Sequence, residues 1–266
     1  MGELRAYAAI FTGQWRSVAS YRTSFVVDLL TNLGATVVDV ATVLVLFGAA
    51  GSVAGFTLTE GLLIVSLSSC GFAIADFAVG NIERLQTYVR SGTMDAVLVR
   101  PLGALPQLVL MDLPLRKALR VLVGVGVLVA ALRLNDIDWT PARVALAVLT
   151  PLAGALFFGA IFVATASLAF WWVESGQVGS AFTYGGRDFT AYPLPVFEGW
   201  FRALFAYGMG FGFVAYQPAL TLLGRPDPLG LPAVAGFLSP LVALIATGAA
   251  AVVWRAGIRH YRSTGS

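Results

Sequence analysis

Apolar residues in this chain gather into long uninterrupted runs separated by short polar interludes, with none of the strict alternation that marks half-buried strands. Several runs exceed the roughly 20 residues of helix needed to cross about 30 Å of hydrocarbon. The pattern predicts spans at about 23–50, 56–79, 118–132, 144–173, 200–223 and 233–255. The third is the shortest and gains length only if it begins near Leu115. Ahead of the first run, Leu4, Tyr7, Ala8, Phe11, Trp15 and Val18 recur at helical spacing while Arg5, Gln14 and Arg16 take other positions. That spacing predicts an amphipathic helix within 1–22, lying in the membrane interface. The expected architecture is an all-α polytopic membrane protein of one domain with six transmembrane helices.

Composition agrees, since 58% of the 266 residues are hydrophobic and 12% are charged. Mean hydropathy is +0.82, and an ordinary soluble domain carries about a quarter charged residues. Six crossings put both termini on one side. If that side is the cytoplasm, fourteen of the seventeen Lys and Arg residues fall inside, leaving Arg133, Arg143 and Arg225 outside. Orientation follows Lys and Arg placement in short loops, so the split predicts cytoplasmic N- and C-termini. The N-terminal stretch has no compact apolar segment ending in a cleavage site, and the first span is expected to serve as its own insertion signal. Cys70 has no second cysteine to pair with and reads as a small packing residue.

Candidate chemistry is sparse. Lys117 is the only lysine and does not follow a Gly-rich turn, so the chain has no phosphate-binding loop of its own. His260 is the only histidine, and neither a His-based metal cluster nor a His-assisted nucleophile is available. No enzyme, no cofactor or metal on this chain and no nucleic-acid partner are expected. The acidic residues in or near spans say more, because a charge at the bilayer centre costs on the order of 3 kcal/mol. Asp39 lies deepest, suited either to an interhelical hydrogen bond or to a cavity-facing site. Asp28 and Asp76 lie nearer the cytoplasmic surface, hydrated or paired with Arg22 or Arg84, and Glu60 opens the second span on the outside. Aromatic residues crowd the fourth and fifth spans, either as packing and interface anchors or as a path for an apolar or cationic compound. Candidate path residues are Asp39, Phe158, Phe162, Tyr207, Phe211 and Gln217. Gly208 and Gly212 have the spacing that lets membrane helices approach closely.

Between the second and third spans, Asn81 to Arg120 is polar and basic, with Arg84, Arg90, Arg100, Arg116, Lys117 and Arg120 against Glu83, Asp95 and Asp112. Ile82, Leu85 and Val89 form an apolar stripe there; Ser91-Gly92 breaks the helix, Thr93 can cap a second piece, and Pro101 ends that piece. Such a helix can dock into a soluble partner or lie on lipid headgroups. The stretches Glu83-Arg84-Leu85, Arg90-Ser91-Gly92-Thr93-Met94-Asp95 and Val97-Leu98-Val99-Arg100-Pro101-Leu102, with the later Tyr192-Pro193-Leu194-Pro195-Val196-Phe197, resemble bacterial type-2 ATP-binding-cassette exporter permeases. More narrowly, the chain is similar to the six-span uncharacterised and viologen-exporter-like branch.

The resemblance implies a permease in the bacterial inner membrane that works with two copies of a separate ATPase, where ATP and Mg are bound. It implies a second permease, preferably a related but different chain and otherwise an identical one. The 81–102 loop becomes a coupling loop, with Ile82, Glu83, Arg84, Leu85, Tyr88, Val89 and Arg90 meeting the ATPase. Export of a hydrophobic, amphipathic or cationic compound, as in multidrug efflux, is the expected activity. An ion-gradient-driven secondary transporter and a non-transporting scaffold or sensor subunit are the rival readings.

Overall fold

The computed structural model describes residues 34, 37, 38, 41–111 and 117–262. The helix expected within 1–22 lies outside them. Apart from one isolated bridge between Val53 and Phe56, regular structure among the described residues is helical. The first apolar run is described as α1, Ala41–Ala50. Thr57 caps α2, Leu58–Val79, through a reciprocal box in which its amide donates to Glu60 Oε2 at 2.8 Å and the Glu60 amide returns to its hydroxyl. A 3-10 turn, Gly80–Arg84, carries the same rod into α3, Leu85–Arg90. The resulting unit, Leu58–Arg90, is long and apolar enough to cross a membrane, as are Pro141–Phe170 and Ala233–His260. After α4, Thr93–Val99, and α5, Ala104–Leu110, come α6, Ala118–Leu134, and α7, Pro141–Ser167, which has Thr140 as its N-cap and Pro at its first turn.

Helix α2 is the centre of the bundle, buried along much of its length from Gly61 to Asp76 and packed against α6 and α7. Two glycines let α2 and α7 approach closely. A Cβ on Gly71 would stand 3.1 Å from the backbone of Gly154 on α7, so any side chain there would push the two helices apart. Cys70 is buried in this core beside Gly124 of α6. The outward faces are apolar instead of polar: Leu122, Val125 and Val129 on α6, and Val148, Leu149 and Leu152 on α7, are exposed. Contiguous apolar surface of this extent needs hydrocarbon around it.

The segment expected as one span over 200–223 is not a continuous helix. A short turn, Gly199–Arg202, passes into a π-helical stretch, Ala203–Gly208, and the chain then breaks at Met209 and Gly210. Gly210 has φ +88° and a Cβ there would meet Val242 at 2.6 Å, so both conformation and space call for glycine. The remaining helix, Tyr216–Leu223, ends at Gly224 beside Arg143, near the start of α7. The other half of the crossing is α8, Gly176–Thr190, a segment the apolar pattern does not assign. It starts beside Gln86 at the far end of the α2–α3 rod and ends where Thr190 meets Ser68, Oγ1 to Oγ 2.5 Å, partway along α2. Taking Tyr216–Leu223 as α10 and Gly199–Arg202 as α9, α8 and α10 each cover about half the height of the bundle. Helix α11, Ser239–His260, closes the bundle against α7 and leaves Leu241, Leu244, Ile245 and Val252 on its outer face.

Candidate functional site

At the end of the bundle where the α2 rod passes into α3, the apolar stripe predicted to dock elsewhere is spent inside the molecule. Ile82 and Leu85 are fully buried and Val89 is nearly so. Glu83 and Tyr88 are half-buried, while Arg84 and Arg90 are exposed. The stripe is therefore an anchor, and what faces outward is a mixed cationic and apolar strip that includes Arg84, Arg90, Leu98, Val99 and Arg100, with Val99 85% exposed. Side chains brace this end from four directions. Arg90 pairs with Glu174, which also accepts from Gln86 at 3.5 Å. The Tyr184 hydroxyl of α8 donates to Glu83 at 3.3 Å. Gln107 of α5, wholly buried, donates to the carbonyls of Val97 and Leu102, closing the loop between α4 and α5. Tyr261, just past α11, donates to Asp95 of α4 at 3.0 Å; partial burial and that carboxylate push its hydroxyl up to about 12.

One turn further into the bundle is a buried ionic cluster. Asp76, 3% exposed, is paired with Lys117 and lies 3.7 Å from Arg120. The partner expected from the sequence, Arg84, is not the one it finds: the lone lysine at the head of α6 takes that place. A Cβ on Gly80 would stand 2.2 Å from Asp76 Oδ1, so glycine is needed for the carboxylate to sit there. Arg120 and Arg187 both lie against the Phe72 ring, at 6.0 and 5.4 Å from its centroid. Phe158, Phe162 and Tyr184 surround the same ring at 5.1 to 5.5 Å. Arg187, counted with the cytoplasmic loops from the sequence, is thus a side chain of α8 inside the bundle.

A second cluster closes the opposite end. Arg225 pairs with Glu60 at 2.6 Å, donates to the Gly55 carbonyl at 3.0 Å and lies 4.5 Å over the Phe56 ring. Behind it Asp227 accepts from Gln217 at 2.8 Å and from the Tyr216 hydroxyl at 3.4 Å, with Tyr207 nearby. Between the clusters runs a ladder of edge-on rings, Phe158, Phe157 and Phe211, joined at Phe211 by Phe182 and Phe189.

Of the candidate path residues, Phe158 and Phe162 pack at the inner cluster, and Phe211, Gln217 and Tyr207 lie towards the outer one. Phe158, Phe162, Phe211 and Gln217 are buried, and in this conformation they pack and are not exposed to a lumen. Asp39 lies outside the described residues. Among the described residues no three His, Cys, Asp or Glu side chains come together as metal ligands. The sequence reading did not find the Lys117 pairing, the Arg225 clamp or the α8 face; only the rarity of lysine was a signal for the first.

No curated protein and no solved structure matches the chain. The family model described as ABC-2 family transporter protein does match, over residues 33–265. That span takes in every element described above, and the chain belongs to the ABC-2 family of transporter proteins.

Proposed function

We propose that the chain is the permease subunit of an exporter driven by separate ATPase subunits, crossing the bacterial inner membrane six times with both termini in the cytoplasm. The crossings are the run ending in α1, then α2, α6, α7, the paired half-helices α8 and α10, and α11. Removing Arg187 and Arg202 from the loop count leaves twelve Lys and Arg residues inside against three outside, which still favours this orientation. The family carries the general reading of an ABC transporter permease.

The observation that carries the coupling role is the construction of the α3–α4 end. It turns charge and Val99 outward, buries its own apolar stripe, and is tied to α8 and to the end of α11 by Glu83–Tyr184 and Asp95–Tyr261. A surface so braced passes force into the bundle instead of yielding locally. Two ATPase copies bound there, with a second permease of related sequence or a second copy of this one, would switch access between the two sides. The apolar and aromatic interior, with cations resting on Phe72 and Phe56, suits a hydrophobic or amphipathic, including cationic, compound.

The test is copurification and coupled hydrolysis with the ATPase. Arg84→Glu, Val99→Asp and Arg100→Glu are expected to weaken both while the permease remains folded. Unaltered coupling in all three would end the assignment. Ile82→Asp does not serve this purpose, because it places a carboxylate in the core. A gradient-driven carrier would use Asp39 or Asp76; Asp39 lies outside the described residues, Asp76 already has Lys117 and Arg120 as counter-ions, and such a carrier would move substrate with no ATPase present.

A further inference from the structure

Between α2, α7 and α11 lies a cavity of about 620 Å³. Ile74 of α2, Leu152 of α7 and Trp254 of α11 are among its walls, and Pro106 of α5 helps floor it. Its volume is in the range of small-molecule sites, about 300–1,000 Å³, but such sites ordinarily carry several convergent polar groups. Here the polar side chains are two. Thr247 has its hydroxyl committed to the Ala243 carbonyl at 2.8 Å, which leaves Arg255. Arg255 is exposed and has no acidic partner among the described residues.

The shape follows from the helices that form it. Along α11 the lining runs from Thr247 to Arg255, and along α7 from Leu152 to Val163. At 1.5 Å per residue these stretches are roughly 12 and 16 Å long, close to half of the ~30 Å hydrocarbon thickness. The groove therefore parallels the helix axes for about one leaflet, apolar along its length, with a guanidinium at the end that carries Arg259 and His260 one turn later.

We propose that this groove holds one acyl chain of an anionic phospholipid resident in the bilayer, with Arg255 on its phosphate-bearing headgroup. An apolar slot one leaflet deep matches a single chain, and one unpaired cation at its mouth selects the charge of the head. The leaflet, cytoplasmic, rests on the orientation proposed above; the fit of chain and headgroup does not. A lipid seated there touches α2, α7 and α11 together, and thereby the helices whose relative positions must change during transport.

Trp254 reports on its own occupant. The full chain in nanodiscs is titrated with phosphatidylglycerol or phosphatidylcholine carrying brominated acyl chains, and the Trp254 signal is taken as the difference from Trp254→Phe. Both leaflets of a nanodisc are exposed, so the reading is independent of topology, and failure here would leave the proposed orientation untouched. Brominated phosphatidylglycerol is expected to half-quench Trp254 at about fivefold lower mole fraction than brominated phosphatidylcholine, the selectivity one basic residue gives at an anionic surface. Arg255→Gln should erase that preference and Arg255→Lys should retain it. Ala251→Phe, which narrows the groove, should reduce quenching by both lipids. Equal half-quenching in the wild type would mean ordinary lipid contact and overturn the proposal. Absence of quenching would overturn it as well, by showing that another part of the chain or a second subunit covers the groove.

Discussion

Replacing Asp76 by Asn removes the carboxylate that, among the described residues, pairs with both Lys117 and Arg120 inside the bundle. Asp76 is 4% exposed as a side chain, Lys117 27% and Arg120 18%, so neither cation can turn fully to water without moving the head of α6. Breaking one partner of a buried pair costs about 3–5 kcal/mol, chiefly because a charge is left uncompensated. The residual exposure of Lys117 places Asp76→Asn near the lower end, at about 3 kcal/mol. If that origin is correct, removing the orphaned charge returns much of the loss: Asp76→Asn with Lys117→Met should be more stable than Asp76→Asn alone. Reversible unfolding of the detergent-solubilised permease, followed by tryptophan fluorescence across the four members of a double-mutant cycle, measures both numbers. A single-variant loss under about 0.5 kcal/mol, or a cycle in which the two losses simply add, would refute the reasoning and leave the pair as two independently hydrated groups.

Backbone geometry and the two ends of the bundle supply the other expectations. Gly71→Val, which sets a branched side chain against the Gly154 backbone, should cost about 1–3 kcal/mol in the same unfolding assay, while Gly126→Ala, with open space around it, should be nearly silent. Gly210→Ala combines a strained φ with a contact at 2.6 Å to Val242, and should lower stability by about 1–3 kcal/mol. Tyr261 titrates outside the membrane spans. Its raised value means that the folded state holds the hydroxyl proton more tightly than the unfolded chain, so its contribution is intact below pH about 10 and is lost as pH rises towards about 12. The tyrosinate absorbance missing in Tyr261→Phe should therefore appear at about 12, and Asp95→Asn should bring it down towards the ordinary value. Arg225→Gln, which loses Glu60, the Gly55 carbonyl and the Phe56 ring at once, should raise labelling of a cysteine placed at half-buried Val53, in the loop these contacts hold, relative to the same cysteine with Arg225 present.

Long apolar runs made α2, α7 and α11 legible, because length and hydropathy alone decide whether a helix can cross a membrane. Helix α8 was not legible for the opposite reason. Its Gly, Ser, Thr, Gln and Tyr residues read as a loop, yet small residues are what let a helix press against neighbours in a bundle, as Gly179 does on Thr165 and Gly186 on the Phe211 ring. The aromatic run around 200–213 carried enough hydropathy to mimic a span, and nothing in hydropathy records that Gly210 must take a positive φ. The stripe Ile82, Leu85 and Val89 shows a similar limit: periodicity identifies a face that needs burial but not the partner that buries it. Close approach likewise went to Gly71 and Gly154, which are isolated in sequence; of the conspicuous pair, Gly208 meets only its own segment, while a Cβ on Gly212 would stand 3.0 Å from Leu194.

The rod Leu58–Arg90 links these observations mechanically. Its 33 residues form one unit roughly 50 Å long at the helical rise, and each cluster is fastened to it. Glu60 at one end takes part in the outer clamp, Asp76 holds α6, Glu83 holds α8, and Arg84 and Arg90 lie at the end proposed above to meet an ATPase. The outer clamp joins this rod to the loop after α10, whereas the inner braces join it to α8, so the two half-helices are tied to opposite ends of the same lever. A tilt driven at Arg84 and Arg90 cannot be absorbed at the Gly71–Gly154 crossing, where the backbones already touch. On the proposed coupling role, that crossing would act as a fulcrum. Displacement of one end would then load the Glu60–Arg225 contact at the other, and the break at Met209 and Gly210 separates α10 from the π-helical stretch before it.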